Sequence, residues 1–171
     1  MHKLIMLVGS LLLTGCLGMP ERVTPVADFQ LDKYLGEWYE VARLDHSFEE
    51  GLSQVTANYS LKSDGGVQVI NRGYSLENDE WQQAEGKAYF VNESSEGYLK
   101  VSFFGPFYGS YVVFDLDKEN YQYAFVSGPN NDYLWLLART KTVDDGVKER
   151  FLSMSKDKGF NTDEIIWVDQ N

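Results

Sequence analysis

The sequence of 171 residues predicts an all-β domain of eight short strands followed by one helix. Three observations carry the prediction. Between Glu37 and Arg139, short runs alternate apolar and polar residues and are parted by polar or glycine-bearing turns, as in strands with one dry face. After Thr140 the period lengthens, and Val143, Val147, Phe151 and Met154 form a helical stripe, with Thr142 or Asp144 available as cap and Gly159 as stop. Gly36, two positions before Trp38, marks a close backbone approach beside a large indole. With 15% aromatic residues, the chain is too rich in rings to be disordered, and its length suits a single domain.

Taken in order, Phe29 to Leu35 reads as a short helical turn that seals one end of the sheet. The first strand spans about residues 37–44, and if Trp38 points inward, a period of two sends Glu40, Ala42 and Leu44 inward as well. Glu40 is then a buried carboxylate that needs partners. It is either a polar group placed for a ligand or water, or a fixed hydrogen bond of the interior. Residues 45–52 form a long connection with His46, Phe48 and Leu52, in the manner of a lid. The second strand sets Val55, Ala57, Tyr59 and Leu61 against Gln54, Thr56, Asn58 and Ser60. The run Lys62-Ser-Asp-Gly-Gly66 is a hairpin turn, and the third strand carries Val67, Val69 and Asn71 inward.

A polar connection over residues 76–80 leads to a fourth strand with Ala84, Gly86, Ala88 and Phe90 on one face. These small side chains leave volume inside. The fifth strand, 98–104, points Leu99, Val101 and Phe103 inward and runs into Gly105-Pro106-Phe107-Tyr108-Gly109. Strands over 111–116, 121–127 and 133–139 complete the sheet, with Tyr133, Trp135 and Leu137 on the side of Arg139. Residues 165–168 form a short edge strand. If successive strands run up and down, Phe48 and Phe107 meet at one end. That apolar rim reads as a self-packing lid, a membrane-touching lip or a dimer interface.

Trp38 and Arg139 form a candidate pair. A guanidinium stacked on an indole gains about 0.5–2 kcal/mol and keeps its donors for carbonyls; spacing alone equally allows an ordinary core Trp and a surface Arg. Gly36-x-Trp38, Asn131-Asp132-Tyr133 and Arg139, in this order around eight strand-like segments, resemble the signature regions of the lipocalins, a likeness that runs from about Phe29 to Trp167. The runs Gly36 to His46, Val101 to Gly109 and Asp132 to Trp135 resemble the bacterial outer-membrane branch. The resemblance implies an eight-stranded antiparallel up-and-down barrel with one C-terminal flanking helix, in which Gly36, Trp38 and Arg139 are structural and one small apolar ligand is held inside.

Residues 1–15 read as an export signal. Lys3 precedes the apolar run Leu4–Leu13, which is too short to span a bilayer, and Leu13-Thr14-Gly15-Cys16 ends in small residues and cysteine. This resembles a bacterial lipobox. The resemblance implies cleavage before Cys16, thioether lipidation and acylation of that residue with chains such as palmitate, and, because Leu17 rather than Asp follows, sorting to the outer membrane with the barrel facing the periplasm. A plain signal peptide that happens to end in cysteine is the other reading. Residues 16–28, with two prolines and no helical period, are expected to be an extended tether, and residues 29–171 the barrel with its helix and edge strand. Cys16 is the only cysteine, so the domain has no disulfide.

The formal net charge of −11, or −12 once Lys3 leaves with residues 1–15, argues against nucleic acid. No catalytic or metal-binding set emerges. His46 stands alone in a loop, no Gly-x-Ser-x-Gly elbow or His cluster is present, and the pairs Glu49-Glu50 and Asp144-Asp145 read as solvation. Enzyme activity and cofactors are therefore not expected. The alternation predicts a ligand wall of Ala57, Tyr59, Val69, Ala88, Phe90, Val101, Phe103, Tyr111 and Trp135, with Tyr108 at the rim. The resemblance implies a fatty acid or lysophospholipid there, for storage or transport near the outer membrane, at one site per barrel or per homodimer joined through the mouths. The competing expectation is a structural envelope lipoprotein with a filled barrel that acts through protein contacts.

Overall fold

The computed structural model describes residues 17–171, so Cys16 and the export signal lie outside the described residues. Eight strands run in chain order: β1 (Gly36–Leu44), β2 (Leu52–Leu61), β3 (Val67–Ser75), β4 (Glu80–Phe90), β5 (Tyr98–Ser102), β6 (Gly109–Leu116), β7 (Tyr123–Ser127) and β8 (Leu134–Ala138). Each pairs antiparallel with the next, and β1 also pairs with β8, so the sheet closes into an up-and-down barrel. A short helix, α1 (Leu31–Tyr34), precedes β1; α2 (Asp145–Asp157) and the edge strand β9 (Ile165–Trp167) follow β8. Of the two candidate caps, Asp144 takes the role, accepting the Val147 amide at 2.9 Å.

Two cores share the sheet. The inner one gathers Trp38, Ala57, Tyr59, Val69, Ala88, Leu99, Val113 and Leu137; the outer one packs Ala42, Val112, Phe125, Leu134 and Leu136 under Phe151 of α2. Bulges decide which residues enter which core. A register shift between Glu40 and Ala42 turns β1 over, so Ala42 and Leu44, expected inside, join the outer core, while Arg43 enters the barrel. Further shifts occur in β2 between Ser53 and Thr56 and in β6 between Val113 and Asp115.

Residues 17–28 are not a free tether. Val23 is buried in the outer core, the Val26 amide donates to the Val113 carbonyl at 2.8 Å, and the Gly97 amide donates to the Val26 carbonyl at 2.9 Å. The segment is laid along the barrel wall because its apolar residues find dry partners there.

The wall is uneven. β4 pairs with β3 from Glu80 to Ala88 but with β5 only from Lys87 to Phe90, which leaves the upper half of β4 unpaired on one side. Ala84, on the inward face by alternation, is exposed there. A hollow of about 300 Å³ marks the gap from outside, beside Glu85, Gly86, Ser102 and Phe103.

Candidate functional site

The closed end is built on Trp38, which is fully buried and donates from Nε1 to the Tyr34 carbonyl at 2.7 Å. Arg139 lies 3.9 Å from the indole centroid and donates to the carbonyls of Glu37 (2.7 Å), Lys33 (2.8 Å), Leu35 (2.9 Å) and Tyr121 (3.3 Å). One cation thus ties α1, β1 and the turn before β7 together. Gly36 has φ +96°, and a Cβ there would sit 3.4 Å from the guanidinium, so both conformation and space call for glycine.

Above this plug the Tyr111 hydroxyl meets those of Tyr34 at 2.7 Å and Tyr59 at 2.9 Å. Burial holds all three phenols well above their usual range, so they stay neutral and form a polar floor. Tyr59 and Tyr111 therefore contribute hydroxyls as well as wall. The rest of the expected set shares this interior: Ala57, Val69 and Ala88 are buried, while Phe90, Val101, Phe103 and Trp135 are only partly so. Phe103 covers Gly86 so closely that a Cβ there would approach its ring to 2.8 Å. Tyr108 departs from expectation. Its ring lies under Lys100, an outward residue of β5, at 5.2 Å, so it stands on the outer side of the rim rather than in the ligand wall. Asn71 faces inward with a buried Oδ1 that has no hydrogen-bond partner.

The open end holds charges where the sequence suggested a lid of rings. Arg43, only 2% exposed, donates to Glu40 Oε1 at 3.0 Å, Asp45 Oδ1 at 3.1 Å and the Glu49 carbonyl at 2.9 Å. Asp45 and Glu49 are thereby tied to the mouth of the barrel. Glu49, read from sequence as a solvating residue, is buried, and its Oε2 accepts from Trp135 Nε1 at 3.0 Å. Burial raises the Glu40 and Glu49 carboxyls, each against the lowering influence of Arg43, and Glu49 pushes Glu40 further up. His46 Nε2 lies 3.2 Å from Glu49 Oε2 without the alignment of a hydrogen bond. Burial, and then the Arg43 charge, lower its pKa to about 4, so the imidazole is neutral and the contact is not a salt bridge. Its ring stacks on Phe48 at 3.9 Å and lies 5.4 Å from Tyr133 and 5.2 Å from Trp135. Phe48 thus packs on His46 and, at 6.3 Å, on Tyr133, rather than on Phe107 as the strand count suggested.

Sequence reasoning missed Arg43 and Glu49 as interior residues. The bulge in β1 that turns Arg43 inward leaves no compositional mark. Gln170 repairs the same irregularity: its Nε2 donates to the Glu40 carbonyl at 2.7 Å and to that of Val55 at 3.0 Å, bridging β1 and β2 beyond the point where they part.

A hydrophobic interior between a fixed plug and a loop lid can enclose a small apolar molecule. Relatives are found by sequence and by fold. The chain is 66% identical over 170 residues to the outer membrane lipoprotein Blc of Vibrio cholerae, covering 99% of each. It is 54% identical over 151 residues to the protein of the same name in Escherichia coli K12, covering 88% of this chain and 85% of that one. In fold it matches insecticyanin of the tobacco hornworm Manduca sexta at a TM-score of 0.70 and 22% identity, over 89% of this chain and 86% of that one. The model of the lipocalin-like domain matches residues 29–170, nearly the whole described chain, and on that match and these identities the chain belongs to the lipocalin family.

Proposed function

We propose that this lipocalin is an outer-membrane lipoprotein, anchored through acylated Cys16, that takes the acyl chain of a fatty acid or lysophospholipid into its barrel for storage or transport. The observation that carries the reading is the inner wall. Phe90, Val101, Phe103 and Trp135 keep accessible surface although they point into a barrel whose base is shut. Apolar surface left wet inside a fold costs free energy that an acyl chain recovers, at about 0.8 kcal/mol per methylene before ordering costs. The names of the relatives support the location, since both are outer membrane lipoproteins. The ligand-wall residues are those named above without Tyr108, and the role belongs to binding rather than catalysis.

A second reading, a filled barrel acting through protein contacts, draws on the phenol floor and the charged cluster that occupy the two ends of the interior. Trp135→Ala separates the two. A carrier loses acyl-ligand affinity by at least tenfold and keeps its thermal transition to within a few degrees. A filled core instead loses about 3–5 kcal/mol of stability. Calorimetric titration with lysophospholipid, expected to show saturable uptake and a negative heat-capacity change, checks the affinity. Native mass spectrometry of the protein drawn from membranes is expected to show one lipid per barrel.

A further inference from the structure

Large exposed apolar side chains gather at one end of the barrel. Phe48 (57% exposed), Leu76, Trp81, Phe104 (79%) and Phe107 (70%) all lie in or beside the connections β1–β2, β3–β4 and β5–β6. Among the described residues the closed end shows only Leu61 of this kind; Ile166 and Trp167 lie on β9. Singly exposed rings are ordinary, but a ring of them around one opening is not. The N-terminal segment leads to the same end. The Tyr98 hydroxyl donates to the Leu17 carbonyl, and a Cβ on Gly18 would lie 3.6 Å from the carbonyl of Pro129, in the β7–β8 connection. Cys16 is the residue next to Leu17 in the sequence.

From the shared position of the rim and the anchor we infer that the open end of the barrel rests on a lipid bilayer, with Phe104 and Phe107 inserted below the headgroups. The inference rests on the reading of Cys16 as the lipid anchor. The connections and strand ends at this rim also carry Glu50, Glu77, Asp79, Glu80 and Asp132, all exposed. These carboxylates suit a zwitterionic surface rather than an anionic one. They also oppose a mouth-to-mouth dimer, in which like charges would face each other. The unpaired upper half of β4 borders the inserted loop, so an acyl chain could pass from the bilayer to the interior beside it without crossing water.

The test uses the full chain reconstituted in phosphatidylcholine vesicles, with single nitroxide labels at Phe107→Cys and, for the closed end, Leu61→Cys. Both positions are exposed, so neither label disturbs the core. The expected result is a ratio of oxygen to nickel-chelate collision at least fivefold higher at position 107 than at 61. Equal ratios, a higher ratio at 61, or strong dipolar coupling between labels at 107 with no lipid protection would overturn the inference; the last points to a second copy as the occupant. The parent chain reports separately on the anchor, because a thioether-linked Cys16 takes up no thiol label. If Cys16 does react, the anchor reading fails, and the same two positions are compared in the Cys16→Ser chain, where a gradient still supports rim insertion and its absence overturns it.

Discussion

The two ends of the barrel hold a cation in opposite ways. Arg139 at the closed end spends its donors on four backbone carbonyls and its face on Trp38. Arg43 at the open end is spent on the side chains of Glu40 and Asp45 and on carbonyls of a loop. Carbonyls held by helix and strand cannot titrate or move far, whereas carboxylates and loops can do both. The closed end is therefore expected to set stability and the open end to set exchange. Trp38→Ala tests the first half with the largest effect. It removes a fully buried indole and the platform beneath Arg139, and about 3–5 kcal/mol of unfolding free energy should be lost in urea titrations. Ligand affinity of the remaining folded fraction should change less than threefold. A variant that stays stable yet binds poorly would reverse the assignment of the ends.

At the open end, His46 provides the next largest effect. Its pKa falls from 6.5 to about 4 on folding, so its contribution is present above the unfolded value and is lost as pH falls through the folded one. Glu40 and Glu49 act with the opposite sign. Their raised pKa values give a contribution that is present in acid and lost as pH rises. His46→Asn isolates the histidine among the charges that face it, Arg43, Asp45, Glu40 and Glu49. The stability advantage of the parent over this variant should shrink by about 1–2 kcal/mol between pH 7 and pH 4.5, less than the full shift implies because water screens a loop at the rim. A pH-independent difference would mean that the imidazole is not held neutral under the lid.

The phenol floor lies between the ends and sharpens the boundary. Tyr111→Phe removes the hydroxyl shared by Tyr34 and Tyr59 and leaves two buried phenols with one partner fewer, at a cost of about 1 kcal/mol in thermal unfolding. If acyl affinity falls as well, the ligand reaches the floor; if it holds, the ligand stops nearer Trp135.

The contrast also explains what could be read from the residues. Period-two alternation placed Ala57, Val69, Ala88 and Val101 inside because each lies in a strand stretch whose pairing continues without a shift. Trp38 and Arg139 were legible as a pair through the lipocalin resemblance, since spacing alone equally allowed an ordinary core Trp and a surface Arg; the structure sets them 3.9 Å apart. The same counting failed at Ala42, Leu44 and Arg43, where one extra residue in β1 exchanges inside for outside. It failed at Glu49, since a loop carboxylate becomes interior only through Arg43 and Trp135, neither of which is near it along the strand pattern. It failed at residues 17–28 because apolar contact with an outer wall has no period.

The smallest stability effect belongs to Glu49→Gln, which bears most directly on exchange. The carboxylate is buried beside Glu40, and its raised pKa shows that ionisation there is costly. An amide keeps an oxygen for Trp135 Nε1 and removes the charge, so stability at pH 7 should move by no more than about 0.5–1 kcal/mol, in either direction. What it loses is the charge that helps hold residues 45–51 under Arg43. Lid opening should become easier, and the dissociation rate of a bound acyl ligand, followed by stopped-flow displacement, should rise roughly five- to tenfold with little change in association. An unchanged dissociation rate would shift control of exchange from the lid to the gap beside β4, where the unpaired strand offers the other way in.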